Sequence, residues 1–116
     1  MTITISEVKR KCMILPADTI YDTSIGNLIA EMLPALEYTL ADAYLSDTGN
    51  LNLQAALNLG MLEIISGEFL HQLSREMRCD KEFSVGGLAL EEIGERGREL
   101  IKQGASRLAP FLRTVR

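Results

Sequence analysis

The sequence predicts an all-α protein, a small helical bundle of about four to five helices with a glycine-hinged extended loop between the central and C-terminal helices. Three observations lead there. Apolar residues recur at three- and four-residue spacing along three long stretches. Prolines and turn clusters punctuate them, at Pro16, at 46–50 and at Pro110. One piece, "KEFSVGGLALEE" at 81–92, breaks the helical pattern with aromatic and β-branched residues followed by a double glycine.

The first element is a short helix capped by Thr4 or Ser6, running to about Met13 and stopped by Pro16. A polar loop at 17–24 ends in good N-cap residues. From there Ile25, Leu28, Ile29, Met32, Leu36, Leu40 and Tyr44 form one helical stripe. Pro34 lies inside it and is expected to kink or split the helix, because it removes a backbone donor and clashes with the preceding turn.

After the turn at 46–50, a third helix spans roughly residues 52–78 and is apolar nearly all round. Such a helix is central in its fold or buried in an oligomer. Ala56, Gly60 and Gly67 fall on one side of it. Glycine costs about 1 kcal/mol against alanine inside a helix, so these positions predict the close approach of another helix. The last helix carries Leu90, Ile93, Gly97, Leu100, Ile101, Gly104 and Leu108 on one face. Glu92→Arg96 and Glu99→Lys102 are its expected outer pairs, and its acids precede its bases as the helix dipole prefers. Pro110 ends it and leaves a short tail holding Phe111, Leu112 and Arg113.

At 116 residues the chain is one domain, 1–116, and 47% apolar with 24% charged residues argues against disorder. The most apolar stretch, 51–70, contains Gln54, Glu63 and Glu68, so no membrane span is expected. The N-terminus places Glu7 and Lys9-Arg10-Lys11 early and does not read as a secretory signal. Cys12 and Cys79 match no metal or redox spacing and read as free thiols in a reducing compartment. The net charge of −4 is uneven: residues 97–116 carry +4, leaving −8 for the first 96. On charge alone plain solvated faces are the first reading, and head-to-tail attraction between identical subunits, which basic ends around an acidic middle would suit, is the second. No large basic patch with interleaved aromatics points to nucleic-acid binding.

Chemistry is sparse. Glu68 and His71 form a Glu-x-x-His pair on one helix face, but a di-metal bundle needs two such motifs and two further glutamates, and the chain has one histidine. Neither cysteine has a base and orienting acid in its local sequence. Gly86-Gly87 lacks the following Lys and Ser/Thr of a phosphate loop. The reading is a non-enzyme, with no catalytic residue, cofactor or metal expected. Interaction remains: Phe83, Val85, Leu88 and Leu90 surround the glycine hinge as an arm lent to a neighbour, or as a loop folded on its own core.

In order along nearly the whole chain, "TISEVKRKCMI" (4–14), "DTSIGNLIAEMLPALEYTL" (22–40), "LQAALNLGMLEIISGEFL" (53–70), "FSVGGLAL" (83–90) and "GASRLAPFLR" (104–113) are similar to one layout. It is that of the head–tail adaptor (connector) proteins of long-tailed bacteriophages and prophages. Ser84-Val85-Gly86-Gly87 and Arg107-Leu108-Ala109-Pro110-Phe111 carry most of the resemblance, and Pro34 and the acid-poor loop from Pro16 to Ser24 depart from it. The resemblance implies a ring, typically twelve-fold, beneath the portal at the virion head–tail junction, assembled in the bacterial cytoplasm. DNA would pass through without sequence-specific binding, and a stopper or tail-completion protein would dock below. It also implies that Phe83, Ser84, Val85, Gly86, Gly87 and Leu88 reach the adjacent subunit or the portal, and that the terminal segment with Phe111, Leu112 and Arg113 packs on neighbours. The alternative is a soluble dimeric helical interaction or regulatory module, metal-binding through Glu68 and His71.

Overall fold

The computed structural model describes residues 1–76 and 90–114. Among them stand five α-helices and no β-strand, in agreement with the predicted all-α class. They are α1 (Ile5–Lys11), α2 (Asp22–Thr39), α3 (Asp42–Leu45), α4 (Leu51–Glu76) and α5 (Leu90–Leu108), followed by a 3-10 turn, Ala109–Phe111.

Helix α1 starts as predicted. The Thr4 hydroxyl accepts from the Glu7 backbone N–H and the Glu7 carboxylate accepts from that of Thr4, a reciprocal capping box. It ends where the backbone turns left-handed at Met13, φ 62°. There the Ile14 N–H donates to the Lys9 carbonyl (2.8 Å) and the Met13 N–H to that of Arg10 (3.2 Å), the double closure of a Schellman end.

Helix α2 passes through Pro34 as one element, so the proline does not split it. The stripe predicted to continue to Tyr44 stops earlier. Thr39 turns its hydroxyl back to the Leu36 carbonyl (2.6 Å), Leu40 is extended, and Tyr44 belongs to α3 instead. A β-branched side chain bonding its own preceding turn competes with the helix ladder, which periodicity alone does not register.

Helix α4, 26 residues and so about 39 Å long, is the axis of the fold and touches α1, α2, α3 and α5. Of the two readings of its all-round apolarity, the central one describes its place in the chain. Leu57, Met61 and Ile65 are fully buried, and Leu62, Phe69, Leu70 and Leu73 nearly so. Helix α5 runs antiparallel to it, and Ile93, Leu100 and Leu108 close the core from that side.

The glycines set the spacing between these two helices. A Cβ at Gly67 would lie 2.5 Å from the Gly97 carbonyl oxygen, and one at Gly97 would lie 2.7 Å from that of Gly67. One heptad away, a Cβ at Gly104 would lie 2.5 Å from the Gly60 carbonyl, and one at Gly60 would meet Leu108 at 2.7 Å. The seven-residue interval keeps both contacts on one seam. The helices thus pack backbone against backbone, as the sequence predicts for Gly60 and Gly67.

Candidate functional site

Pro110 has no N–H to continue α5, so the chain leaves the helix through the 3-10 turn and becomes extended at Leu112 (φ −69°, ψ 148°). That extended residue lies antiparallel to Leu40, itself extended at the end of α2. Ala41 N–H donates to the Phe111 carbonyl at 2.9 Å, and Arg113 N–H donates to the Thr39 carbonyl at 2.7 Å.

Side chains complete the dock. Phe111 meets Tyr44 edge-to-face, with centroids 5.1 Å apart at 77°. The Arg113 guanidinium sits 4.7 Å from the Tyr38 ring centroid and reaches Asp42 Oδ1 at 3.2 Å. Leu40 is fully buried beneath this layer, whereas Tyr38 is 71% and Leu112 45% exposed. Phe111, Leu112 and Arg113, nominated from the sequence, therefore cluster against α2 and α3 of their own chain. The acceptor residues Tyr38 to Asp42 were not nominated, because nothing local marks a helix end as a strand-like edge.

Phe83, Ser84, Val85, Gly86, Gly87 and Leu88 lie outside the described residues. In the described hairpin, α4 ends and α5 begins at the end remote from the C-terminal dock. Glu68 Oε1 accepts from Gln72 Nε2 at 3.1 Å, and His71 Nδ1 is buried with no hydrogen-bond partner among the described residues. Among the described residues no group of three or more His, Cys, Asp or Glu side chains is placed to hold a metal ion.

Three further polar features lie in or beside the core. Glu63, 4% exposed at its side chain, takes Arg107 in a forked pair, Nε–Oε1 at 2.6 Å and Nη2–Oε2 at 3.4 Å. These hydrogen bonds and the carboxylate charge hold the Arg107 pKa above its ordinary value. Lys9, also buried, reaches Asp22 Oδ1 at 2.9 Å and donates to the Pro16 carbonyl at 3.0 Å. Burial pushes the Cys12 thiol up to about 12, against weaker lowering by the Ser66 side chain and the Arg96 charge. Within α5, among the described residues, the ion pair is Arg96–Glu99 at 3.8 Å, in place of the two outer pairs expected.

The surface also has a cleft of about 590 Å³ between α1, α4 and α5, with Arg10, Lys11 and Arg96 around Leu59, Leu62 and Met13. No helix among the described residues is long and apolar enough to cross a membrane. Compared with models of protein families, with curated proteins and with solved structures, the chain matches none.

Proposed function

We propose that this chain is a structural assembly subunit of the head–tail connector type. In this reading it forms a ring below a portal and joins the capsid to the stopper or tail, with no catalytic step. The resemblance of the chain's ordered segments to that family motivates it. The observation that carries it furthest is the hairpin of α4 and α5. Backbone-to-backbone contact at Gly60/Gly104 and Gly67/Gly97 makes a close-packed unit that supports the reading, with Phe111–Arg113 following the end of α5. Residues 77–89 connect the helices at one end, and Phe111–Arg113 follow at the other. The uneven charge supports head-to-tail contact between copies.

Light scattering and negative-stain microscopy of the full chain test this, alone and mixed with the portal protein of the same genome. The expected result is a closed ring, or a chain that becomes one on the portal. A chain that stays monomeric or dimeric and does not bind the portal overturns the reading. Replacing Phe83 and Val85 together by Ser should leave the helical circular dichroism near wild type and abolish the ring. Loss of the helical signal instead would make that segment part of the core.

A further inference from the structure

We infer that the corner formed by Tyr38, Thr39, Leu40, Ala41, Asp42 and Tyr44 is an exchangeable docking site. In the isolated chain its own residues 111–113 fill it, and in an assembly those of a second copy do. The inference stands whether or not the connector reading holds.

Recognition at this corner is strand addition. The two main-chain hydrogen bonds at 2.9 and 2.7 Å require only an extended segment in the right register, not covalent continuity with α5. Selectivity comes from three side-chain contacts: the Phe111 edge on Tyr44, and Arg113 between the Tyr38 ring and Asp42. An aromatic–apolar–arginine segment fits this arrangement, and the chain itself supplies one.

The segment is also built to come away. Leu108 is 2% exposed and lies against Gly60, so α5 stays anchored up to that residue. Pro110 ends the helix just beyond it. Phe111 is half-buried against the core, but the Arg113 contact lies at the surface: the side chains of Arg113 and Asp42 are 41% and 85% exposed. Exposed pairs of this kind contribute little each. Release does uncover Leu40, which is fully buried in the closed arrangement, so an empty corner favours recapture.

A second copy offers identical contacts, and exchange between own and neighbouring segments is then close to balanced, as in domain swapping. Effective concentration decides between them. In solution the tethered segment wins. Where chains are held side by side, each gives one segment and takes one, a heterologous contact that closes on itself in a ring.

Disulfide trapping tests this on the full chain. Thr39→Cys and Arg113→Cys replace two residues held opposite by a main-chain hydrogen bond, each on a Cys79→Ser background. Cys12, buried with its thiol pushed up to about 12, stays silent under mild oxidation. The double variant at low concentration should close on itself, giving a faster-migrating monomer on a non-reducing gel. The two single variants mixed at high concentration should give a covalent heterodimer at least roughly tenfold above the homodimers of either alone. An excess of a peptide of residues 109–116 should suppress it. Efficient closure of the double variant with no mixed heterodimer means the segment docks only within its own chain and overturns the proposal. Failure to close both of this double variant and of Leu40→Cys/Leu112→Cys, which keeps Arg113, with the helical circular dichroism of wild type, removes the dock itself and overturns it as well.

Discussion

Two layers of this molecule are packed by different means. Between α4 and α5, main chain meets main chain at Gly67, Gly97 and Gly104, and the Leu108, Ile101 and Ile64 side chains press in beside the glycines. Between α1 and α2, side chains mediate: a Cβ added at Gly26 would meet the Ile5 Cδ1 tip at 3.3 Å, and Lys9 reaches across to Asp22. One substitution type therefore has opposite expected outcomes in the two layers. Gly67→Ala gains about 1 kcal/mol of helix propensity. It also drives a methyl to 2.5 Å from the Gly97 carbonyl and 2.8 Å from the Ile101 nitrogen. The helices must separate along the seam, and a net loss of about 3 kcal/mol is expected in urea unfolding. A stability at or above wild type would mean that the hairpin is not locked by backbone contact. Gly97→Ala should act on the same seam, and the double variant should cost less than the two losses added.

Both layers also place a buried charge against a more exposed partner of opposite sign. In the hairpin Glu63 is the buried member, and its partner Arg107 is 42% exposed at the side chain. Removing the exposed partner strands the buried charge, whereas removing the buried one releases a group that water can solvate. Arg107→Met should therefore cost about 3 kcal/mol, and Glu63→Gln only about 1 kcal/mol. Equal losses would show that Glu63 reaches water. Lys9 keeps the Pro16 carbonyl as a second acceptor, so Asp22→Asn should cost less than Arg107→Met.

Cys12 extends the comparison to pH, since it stands where α1 meets α4, its thiol 3.6 Å from the Ser66 carbonyl. Its folded pKa of about 12 lies above the ordinary 9.0. The unfolded chain then loses this proton first as pH rises, so the thiol's contribution is intact below pH 9.0 and is lost progressively toward 12. Relative to Cys12→Ala, wild-type stability should fall by about 2 kcal/mol between pH 9 and about 10.5. Parallel pH profiles for the two proteins would mean that the thiol titrates alike in both states. Iodoacetamide at pH 9, with Cys79→Ser in the background, gives a second readout: Cys12 should resist alkylation until the protein unfolds.

Legibility in the sequence follows the same division. The Thr4 cap, the stop at Pro110 and the tight seam at Gly60 and Gly67 were all readable, because each is a local rule of backbone geometry. The partners Gly97 and Gly104 were visible on the face of α5, although the sequence did not say that they would meet those of α4. Thr39 was not readable as a helix end, since a hydroxyl bonding the Leu36 carbonyl competes with a stripe that otherwise continues to Tyr44. The dock at Leu40 and Leu112 was invisible for a related reason. It joins two helix ends distant in sequence, and strand pairing across such a distance leaves no periodic trace.

The smallest expected effect lies at the end of α1, where Met13 holds a left-handed backbone that glycine adopts more readily. Its side chain is 62% exposed, so its truncation forfeits little burial. Met13→Gly keeps the hydrogen bonds from Met13 and Ile14 to Arg10 and Lys9, relieves the left-handed strain, and adds some freedom to the unfolded chain. The balance favours the variant by about 0.5 to 1 kcal/mol, readable as a small rise in melting temperature. Met13→Ala separates the contributions, because it removes the same side chain and keeps the strain, so it should gain nothing. If Met13→Gly is instead destabilised, the methionine side chain makes contacts along the cleft beside Leu59, Leu62 and Arg96 that outweigh its backbone strain. The α1 end would then be held by a side-chain contact, where the hairpin is held by its backbone.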